Sequence, residues 1–255
     1  METESKKRHL IIVIIYDQLD IIKKSLDSIF DYDADFCVIE NPSDNSEAIE
    51  KYVLTKNPKK YIRYVQNVTN NAVTQFNREH SEFIKQYDYI TYTDGDLLVY
   101  DVKELFNEIF EALKKDDCVV SSADLWSGNS YVTNYRASND RQEYLDIKDR
   151  KNINDFMLYM KNNPISFGSK KLVNGNFFIT VKNSNIDFII SEIFLDAIYQ
   201  RKFRDNWYST SKNLVYHLTW DLYVDGNSYY EFKKVAYPRI WASSYDERTE
   251  FINII

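Results

Sequence analysis

Four short runs of β-branched and aromatic residues alternate with helical patterns over the first hundred residues of this chain. The first run, His9–Tyr16, is almost entirely apolar, which is typical of a strand buried on both faces of a sheet. Strands that alternate with helices predict a doubly wound, mostly parallel sheet with right-handed crossovers. The predicted strands are His9–Tyr16, Asp35–Glu40, Tyr61–Val65 and Tyr87–Tyr92, and the predicted helices are Asp20–Phe30, Glu47–Leu54 and the later part of 67–87.

The second half of the chain is less regular. Its patterns predict helices at Val102–Leu113, Ile153–Met160, Ile186–Phe203 and Asn213–Val224, and strands at Asp117–Ala123 and Lys171–Val181. No repeat and no linker rich in Pro, Gly or Ser divides the 255 residues, so we expect one domain. Within it, residues 1–126 are expected to bind a nucleotide and residues 127–255 a second substrate.

Charge and composition exclude several classes of protein. A net charge of −7 argues against nucleic-acid binding, because phosphate contacts need a concentrated basic surface. The longest apolar run, LIIVIIY, is too short to span a bilayer, and the polar start METESKKRH is unlike a signal peptide. Cys37 and Cys118 lie in strand-like runs without metal-ligand spacing, so we expect two core thiols in a cytoplasmic protein.

The segment YDYITYTDGDLLV places two carboxylates, Asp94 and Asp96, around Gly95 at the end of the fourth predicted strand. Ligands of open α/β sheets bind beyond the carboxyl ends of the strands. Mg²⁺ and Mn²⁺ prefer oxygen ligands, and Mg²⁺ is commonly held by one or two carboxylates together with substrate phosphates. The segment therefore predicts a metal bound against a diphosphate, with Gly95 allowing close approach. A solvated turn is the alternative interpretation.

With these motifs, the chain resembles glycosyltransferases of the GT-A fold, closest to the family 2 pattern, over residues 9 to about 126. The matching segments are IIVIIYDQLDIIKKSLDSI, DFCVIENPSDNS and NVTNNAVTQFNREHSEFIKQYDYITYTDGD. The resemblance implies a Rossmann-like mixed, mostly parallel sheet flanked by helices. It also implies Mn²⁺ or Mg²⁺ as cofactor, a nucleotide-diphosphate sugar as donor, with a UDP-sugar favoured, and a glycan, lipid-linked saccharide or glycoprotein as acceptor.

The resemblance also assigns roles to individual residues. Glu40 stands where the family has an Asp that contacts the base or ribose, and the segment after residue 67 has Asn and Thr where glycines are common. Asp94 is expected to contact the ribose or the metal, and Asp96 to be the principal metal ligand. The implied donor-binding residues are Tyr16, Asp17, Glu40, Asn41, Asn67, Asn77, Asp94 and Gly95.

Inverting sugar transfer also needs a carboxylate base that takes the proton of the acceptor hydroxyl. The segment HLTWDLYVDGNSYYEFKKVAYPRIW resembles the family's region for that base and implies Asp221, with Trp220 in place of a first acid. Asp225, Asp187, Glu192 and Asp205 remain alternatives for the base. The loop LVNGNFF with Gly175 resembles an acceptor-side loop, and Trp220 is a second acceptor-side residue.

His217 precedes Asp221 by four residues, which would place both on one face of the predicted helix Asn213–Val224. It is a potential third metal ligand, or a residue that positions the acceptor. A structural histidine is the alternative.

Other functions compete with sugar transfer as interpretations of this sequence. A haloacid dehalogenase-type phosphatase needs its Asp-x-Asp after the first strand, and a P-loop motif is absent from the sequence. A sugar nucleotidyltransferase would want a Gly-rich, basic loop after the first strand, where this chain has YDQLD. A non-catalytic sugar- or nucleotide-binding module stays open.

Overall fold

The computed structural model describes residues 7–65, 72–99, 101–115, 118–121, 124–125, 178–186, 203, 206–210, 215–217 and 251–255. Within them it has five α-helices and eleven strands. The helices are α1 Leu19–Ile29, α2 Ser46–Thr55, α3 Ala72–Glu79, α4 Ser81–Ile84 and α5 Val102–Lys115. The strands are β1 His9–Tyr16, β2 Asp35–Asn41, β3 Lys60–Tyr64, β4 Tyr89–Asp94, β5 Leu97–Val99, β6 Val119–Ser121, β7 Asp124–Leu125, β8 Phe178–Lys182, β9 Trp207–Ser209, β10 Val215–His217 and β11 Phe251–Asn253.

Eight of these strands form a central mixed sheet in the order β11-β3-β2-β1-β4-β8-β6-β9. The neighbours β3, β2, β1 and β4 all run parallel, whereas β8 is antiparallel to both β4 and β6. At the two ends of the sheet, β9 is parallel to β6 and β11 is antiparallel to β3. The mixed, mostly parallel sheet flanked by helices is the fold class expected from the sequence.

Strand β1 lies at the centre of the sheet, and helices cover both of its faces. Successive side chains of a strand point to opposite faces. Leu10 and Ile12 pack on one side with residues of α3 and α4, while Ile11 and Val13 pack on the other with residues of α1, α2 and α5. All four are fully buried, which accounts for the continuous apolar run in the sequence.

A second, three-stranded sheet lies beyond the end of β4. Strand β10 pairs antiparallel with β5 and parallel with β7. The segment Val215–His217 is therefore a strand, and the predicted helix over Asn213–Val224 is wrong there. Its valine and tyrosine suit either state locally, and pairing with β5 selects the extended one.

Most of the remaining predictions that fall on described residues agree with the structure. The predicted helix before β4 is interrupted at His80, which separates α3 from α4, and Cys37 and Cys118 are both buried free thiols as expected. The predicted strand over Lys171–Val181 is observed as β8, with 171–177 outside the described residues. The helix predicted at 153–160 and nearly all of that at 186–203 also lie outside them. None of the described helices is long and apolar enough to cross a bilayer.

Candidate functional site

Three neighbouring strands bring six of the eight predicted donor-binding residues to one edge of the sheet. In the parallel pairing of β1 with β2, Tyr16 lies beside Asn41, and in the pairing of β1 with β4, Ile14 lies beside Asp94. Parallel strands have their carboxyl ends at the same edge, where ligands of this fold class bind. We refer to this edge, with the turns that follow β1, β2 and β4, as the carboxyl edge.

The turn at Gly95 is packed directly against β1. Its backbone N–H donates a hydrogen bond of 2.7 Å to the carbonyl oxygen of Ile14. A Cβ at this position would lie 2.5 Å from Cγ2 of Ile15 and 2.9 Å from that same carbonyl oxygen. Only glycine fits without a shift of its surroundings, so the turn that carries Asp94 and Asp96 is held in fixed contact with the end of β1.

Helix α1 fixes the other side of the same turn. The buried hydroxyl of Ser25 donates to the carbonyl oxygen of Leu97 over 2.7 Å, directly after Asp96. The hydroxyl of Ser28 accepts a 3.0 Å hydrogen bond from the backbone N–H of Val99, two residues after Leu97. Both aspartates are partly exposed, although the Oδ1 atom of Asp96 is buried. The acidic turn is thus supported on both sides and open to a ligand.

The turn between β1 and α1 has an unusual backbone. Asp17 and Gln18 are consecutive non-glycine residues with positive φ angles of 47° and 49°. Such conformations cost energy and are concentrated at functional sites. Asp17 is buried, and its carboxylate accepts a short hydrogen bond from the side-chain amide of Asn45, in the loop before α2. This contact ties the turns after β1 and β2 together at the carboxyl edge.

Glu40 is held inside the protein by a network of polar groups. It is fully buried, and its Oε2 accepts hydrogen bonds from the Tyr61 hydroxyl and, at 2.8 Å, from Nε of Arg63. Arg63 also reaches Glu50 at 2.9 Å and donates to the carbonyl oxygen of Ser46 at 3.0 Å. Burial and the hydrogen bond to Glu40 raise the pKa of Tyr61. The network fixes β2 against β3 and against the start of α2.

Asn77 lies beneath β4. It is buried on α3, and its side-chain amide donates a 2.8 Å hydrogen bond to the hydroxyl of Tyr92, two residues before Asp94. The structure therefore connects the predicted donor-binding residue Asn77 with the strand that ends in the acidic turn.

The backbone of His217 also approaches this turn. In the pairing of β10 with β5, His217 lies opposite Leu97, the residue that directly follows Asp96. The proximity comes from strand pairing. Because Val215–His217 is a strand, the prediction that His217 shares a helical face with Asp221 is wrong. Four other predicted site residues, Asn67, Gly175, Trp220 and Asp221, lie outside the described residues.

The two carboxylates suit a divalent cation that is coordinated partly by the protein and partly by a substrate. Within the described ranges, no group of three or more His, Cys, Asp or Glu side chains could hold a metal ion. Two carboxylates on a fixed turn provide oxygen ligands of the kind that Mg²⁺ and Mn²⁺ take together with substrate phosphates. Asp94 and Asp96 could therefore supply two oxygen ligands to such a cation.

Sequence reasoning missed Asn45, Ser25 and Arg63. Asn45 lies in the turn-forming segment NPSDNS, where nothing local indicates its contact with Asp17. Arg63 carried a usable signal, because a basic residue within the strand pattern KYIRY needs a partner when its neighbours are buried.

Comparison with known proteins gives distant similarities. No family model matches the chain. An uncharacterized protein of Acanthamoeba polyphaga mimivirus is 29% identical over 95% of this chain. The chain spans 50% of that relative's length, and 26% and 31% of two further uncharacterized proteins of the same virus.

Three solved structures have a distant similarity to this chain. Glucosyl-3-phosphoglycerate synthase from Mycobacterium tuberculosis, in complex with Mn²⁺, UDP-glucose and glycerol 3-phosphate, aligns over 80% of this chain and 69% of its own, with 10% identity and a TM-score of 0.46. The mannosyltransferase PcManGT from Pyrobaculum calidifontis, in complex with GDP-Man and Mn²⁺, aligns over 48% of this chain and 36% of its own, with 16% identity and a TM-score of 0.38. The 4-diphosphocytidyl-2C-methyl-D-erythritol synthase from Anaerococcus prevotii aligns over 88% and 96%, with 12% identity and a TM-score of 0.44.

The order and directions of the strands define the fold of this chain. Four parallel strands in the order β3-β2-β1-β4 are followed by an antiparallel β8, and a small second sheet begins directly after the acidic turn. This mixed, mostly parallel sheet flanked by helices is the fold class that the resemblance to GT-A glycosyltransferases implied.

Proposed function

We propose that this chain is a metal-dependent glycosyltransferase that moves a sugar from a nucleotide-diphosphate donor to a hydroxyl of a glycan, lipid-linked saccharide or glycoprotein. The observation that supports it most is the Asp94-Gly95-Asp96 turn, which is packed against β1 so closely that only glycine fits between the two acids. A solvated surface turn would not need this contact with the centre of the sheet. The position of the turn at the carboxyl edge is where a donor would bind.

In this proposal, Asp94 and Asp96 hold Mn²⁺ or Mg²⁺ together with the donor diphosphate. A cation bound there would neutralise the charge that develops on the leaving diphosphate. The donor nucleotide binds along the ends of β1 and β2, near Tyr16 and Asn41. Asp17 keeps the two loops in place through Asn45.

In this proposal, Glu40 contacts the donor nucleotide from a buried position. One carboxylate oxygen is occupied by Tyr61 and Arg63, and the other, Oε1, is buried without a hydrogen-bond partner among the described residues. A buried acceptor of this kind is costly unless a donor reaches it. We propose that a nucleobase or ribose donor group satisfies Oε1 when the nucleotide binds, as the resemblance to family 2 implies.

The acceptor side is proposed from the sequence alone. Asp221 acts as the base that takes the proton of the acceptor hydroxyl, which makes the reaction inverting, and Gly175 and Trp220 line the acceptor site. His217 is proposed as a further metal ligand because its backbone lies opposite Leu97, next to Asp96. For Asp221→Asn, we expect donor binding to survive and sugar transfer to be lost. A normal transfer rate in this variant would move the base to another residue.

The proposal is tested by thermal-shift measurements with UDP-, GDP- and dTDP-sugars, each with and without Mn²⁺. A donor at a hundred times its dissociation constant should stabilise the protein by roughly 3 kcal/mol, and only when the ion is present. The stabilisation should vanish in Asp96→Ala and persist in Asp31→Ala, which changes an exposed aspartate at the other end of α1. Metal-independent stabilisation, or an unaffected Asp96→Ala protein, would contradict the proposal.

The product separates the proposed activity from the alternatives. A glycosyltransferase releases a nucleoside diphosphate from the sugar donor. A sugar nucleotidyltransferase instead releases pyrophosphate from a nucleoside triphosphate, and a binding module releases neither. Turnover of the donor identified by thermal shift, with nucleoside diphosphate as product, is the result we expect.

A further inference from the structure

A hollow of about 600 Å³ lies at the opposite edge of the central sheet, away from the acidic turn. Lys7 precedes β1, Tyr89 begins β4, and Lys182 ends the antiparallel β8, so the strand order β1-β4-β8 brings the three together. Other polar residues of the lining are Lys85 at the end of α4, Asp88, Asn183 and Ser184. We call this site the basic hollow. Its volume lies within the range of small-molecule pockets.

Positive charge is concentrated in the basic hollow. Among the described residues that line it, three are lysines and one, Asp88, is acidic. The Asp88 carboxylate accepts a 2.7 Å hydrogen bond from the backbone N–H of Arg8, and the Arg8 guanidinium lies 4.6 Å from the ring centre of Tyr87. Glu82, the ion-pair partner of Lys85, adds a second carboxylate, so three ammonium groups meet two carboxylates here in a chain whose net charge is −7. The local field favours an anionic ligand.

Lys7 and Lys85 each make an observed contact that a phosphate group could compete with. Lys7 donates a 2.9 Å hydrogen bond to the Tyr89 hydroxyl and lies 5.2 Å from the ring centre, which holds its ammonium group at the rim. Lys85 forms a 2.6 Å ion pair with Glu82, whose side chain is 86% exposed. Exposed pairs of this kind contribute little, so a phosphate group can compete for Lys85. Lysine ammonium groups bind phosphate as compact point charges.

We propose that the basic hollow binds a phosphate-bearing ligand, at a site separate from the carboxyl edge. The ligand carries a phosphate dianion or diester, which the ammonium groups of Lys7, Lys85 and Lys182 would hold. Its source is either a soluble phosphorylated compound or the headgroup of an anionic lipid. Because the hollow lies at the far edge of the sheet from the acidic turn, the site does not depend on the proposed sugar transfer.

The test uses inorganic pyrophosphate as the soluble probe, in calorimetric titrations of the full chain with EDTA present, so that no metal-dependent binding at Asp94 and Asp96 contributes. We expect saturable binding that weakens with added salt. The double variant Lys85→Gln/Lys182→Gln should lower the affinity roughly tenfold. Lys114→Gln is the matched control, because Lys114 also forms an exposed i,i+3 pair, with Glu111 at 2.7 Å, and the affinity should not change.

A second arm separates the two sources. The chain is sedimented with phosphatidylcholine vesicles that contain phosphatidylglycerol. Co-sedimentation that the double variant loses identifies a lipid headgroup as the ligand, and pyrophosphate binding without co-sedimentation identifies a soluble one. The proposal is overturned if neither probe binds, or if Lys114→Gln weakens binding as much as the double variant does.

Discussion

Replacing Gly95 by alanine tests the geometry on which the proposed metal site depends. The added Cβ would lie 2.5 Å from Cγ2 of Ile15 and 2.9 Å from the carbonyl oxygen of Ile14. Ordinary contacts begin at 3.4 Å, so the turn must retreat from β1 by up to about 0.9 Å. The side chain of Ile15 is in the core and the carbonyl belongs to the central strand, so neither neighbour can move freely.

Two effects of different size follow from that displacement. Overpacking of a dense core costs about 1–3 kcal/mol, and we expect a loss of this size in the free energy of unfolding for Gly95→Ala. A misplacement near 1 Å at a reacting centre can cost on the order of a hundredfold in rate. We therefore expect sugar transfer to fall by roughly one to two orders of magnitude, and metal-dependent donor affinity to fall with it.

Urea unfolding measures the loss in the free energy of unfolding. Titration with donor and Mn²⁺ measures the loss in metal-dependent donor affinity. Ile15→Ala removes the Cγ2 contact but leaves the carbonyl of Ile14, so it serves as the partner variant in a double-mutant cycle. The coupling between positions 15 and 95 should be favourable, because the alanine at 95 clashes less when Ile15 is shortened. Full stability and full metal-dependent affinity in Gly95→Ala would refute the close contact and the site built on it.

Three further predictions concern polar side chains in and beside the central sheet. Arg63→Leu should cost roughly 3–5 kcal/mol in urea unfolding because it leaves Glu40 buried without its cation, and adding Glu40→Gln should restore most of the loss; an equal loss in both proteins would contradict a charge effect. Burial lowers the pKa of His9 to about 3 from 6.5, so the unfolded chain takes up a proton near pH 6.5 and the folded chain does not. Stability is then lost as the pH falls from 6.5 towards 3, by about 2 kcal/mol at pH 5 from this residue, and His9→Gln should lack that part of the pH dependence. If His9→Gln and the unchanged protein had the same pH profile of stability, His9 would not be the source of this pH dependence. Asn45→Ala removes the amide that holds Asp17 and should cost about 1 kcal/mol in stability and weaken donor binding severalfold, whereas an unchanged donor affinity would limit the contact to a structural role.

The first half of the fold could be predicted because its signals are local. The apolar run of β1 and the helical spacing of α1, α2 and α5 each lie within one continuous segment, and the alternation of the two implies parallel pairing. Strand β10 could not be found in this way. Its three residues are extended because they pair with β5, more than a hundred positions earlier in the chain, and local propensity does not carry that information.

The same distinction applies to the site. Asp94, Gly95 and Asp96 were predictable, because the motif and the strand that positions it are adjacent in sequence. The network around Glu40 was not, because it depends on the register that places Glu40 beside Arg63 in the pairing of β2 with β3. The contact between Asp17 and Asn45 likewise joins two loops that only the folded sheet brings together.

The most direct test of the central claim is anomalous diffraction from crystals grown with Mn²⁺ and the donor nucleotide. We expect a manganese peak that is shared by the carboxylates of Asp94 and Asp96 and by the diphosphate, and that is absent from crystals of Asp96→Ala. A diphosphate bound elsewhere on the chain, with no manganese at this turn, would contradict the account.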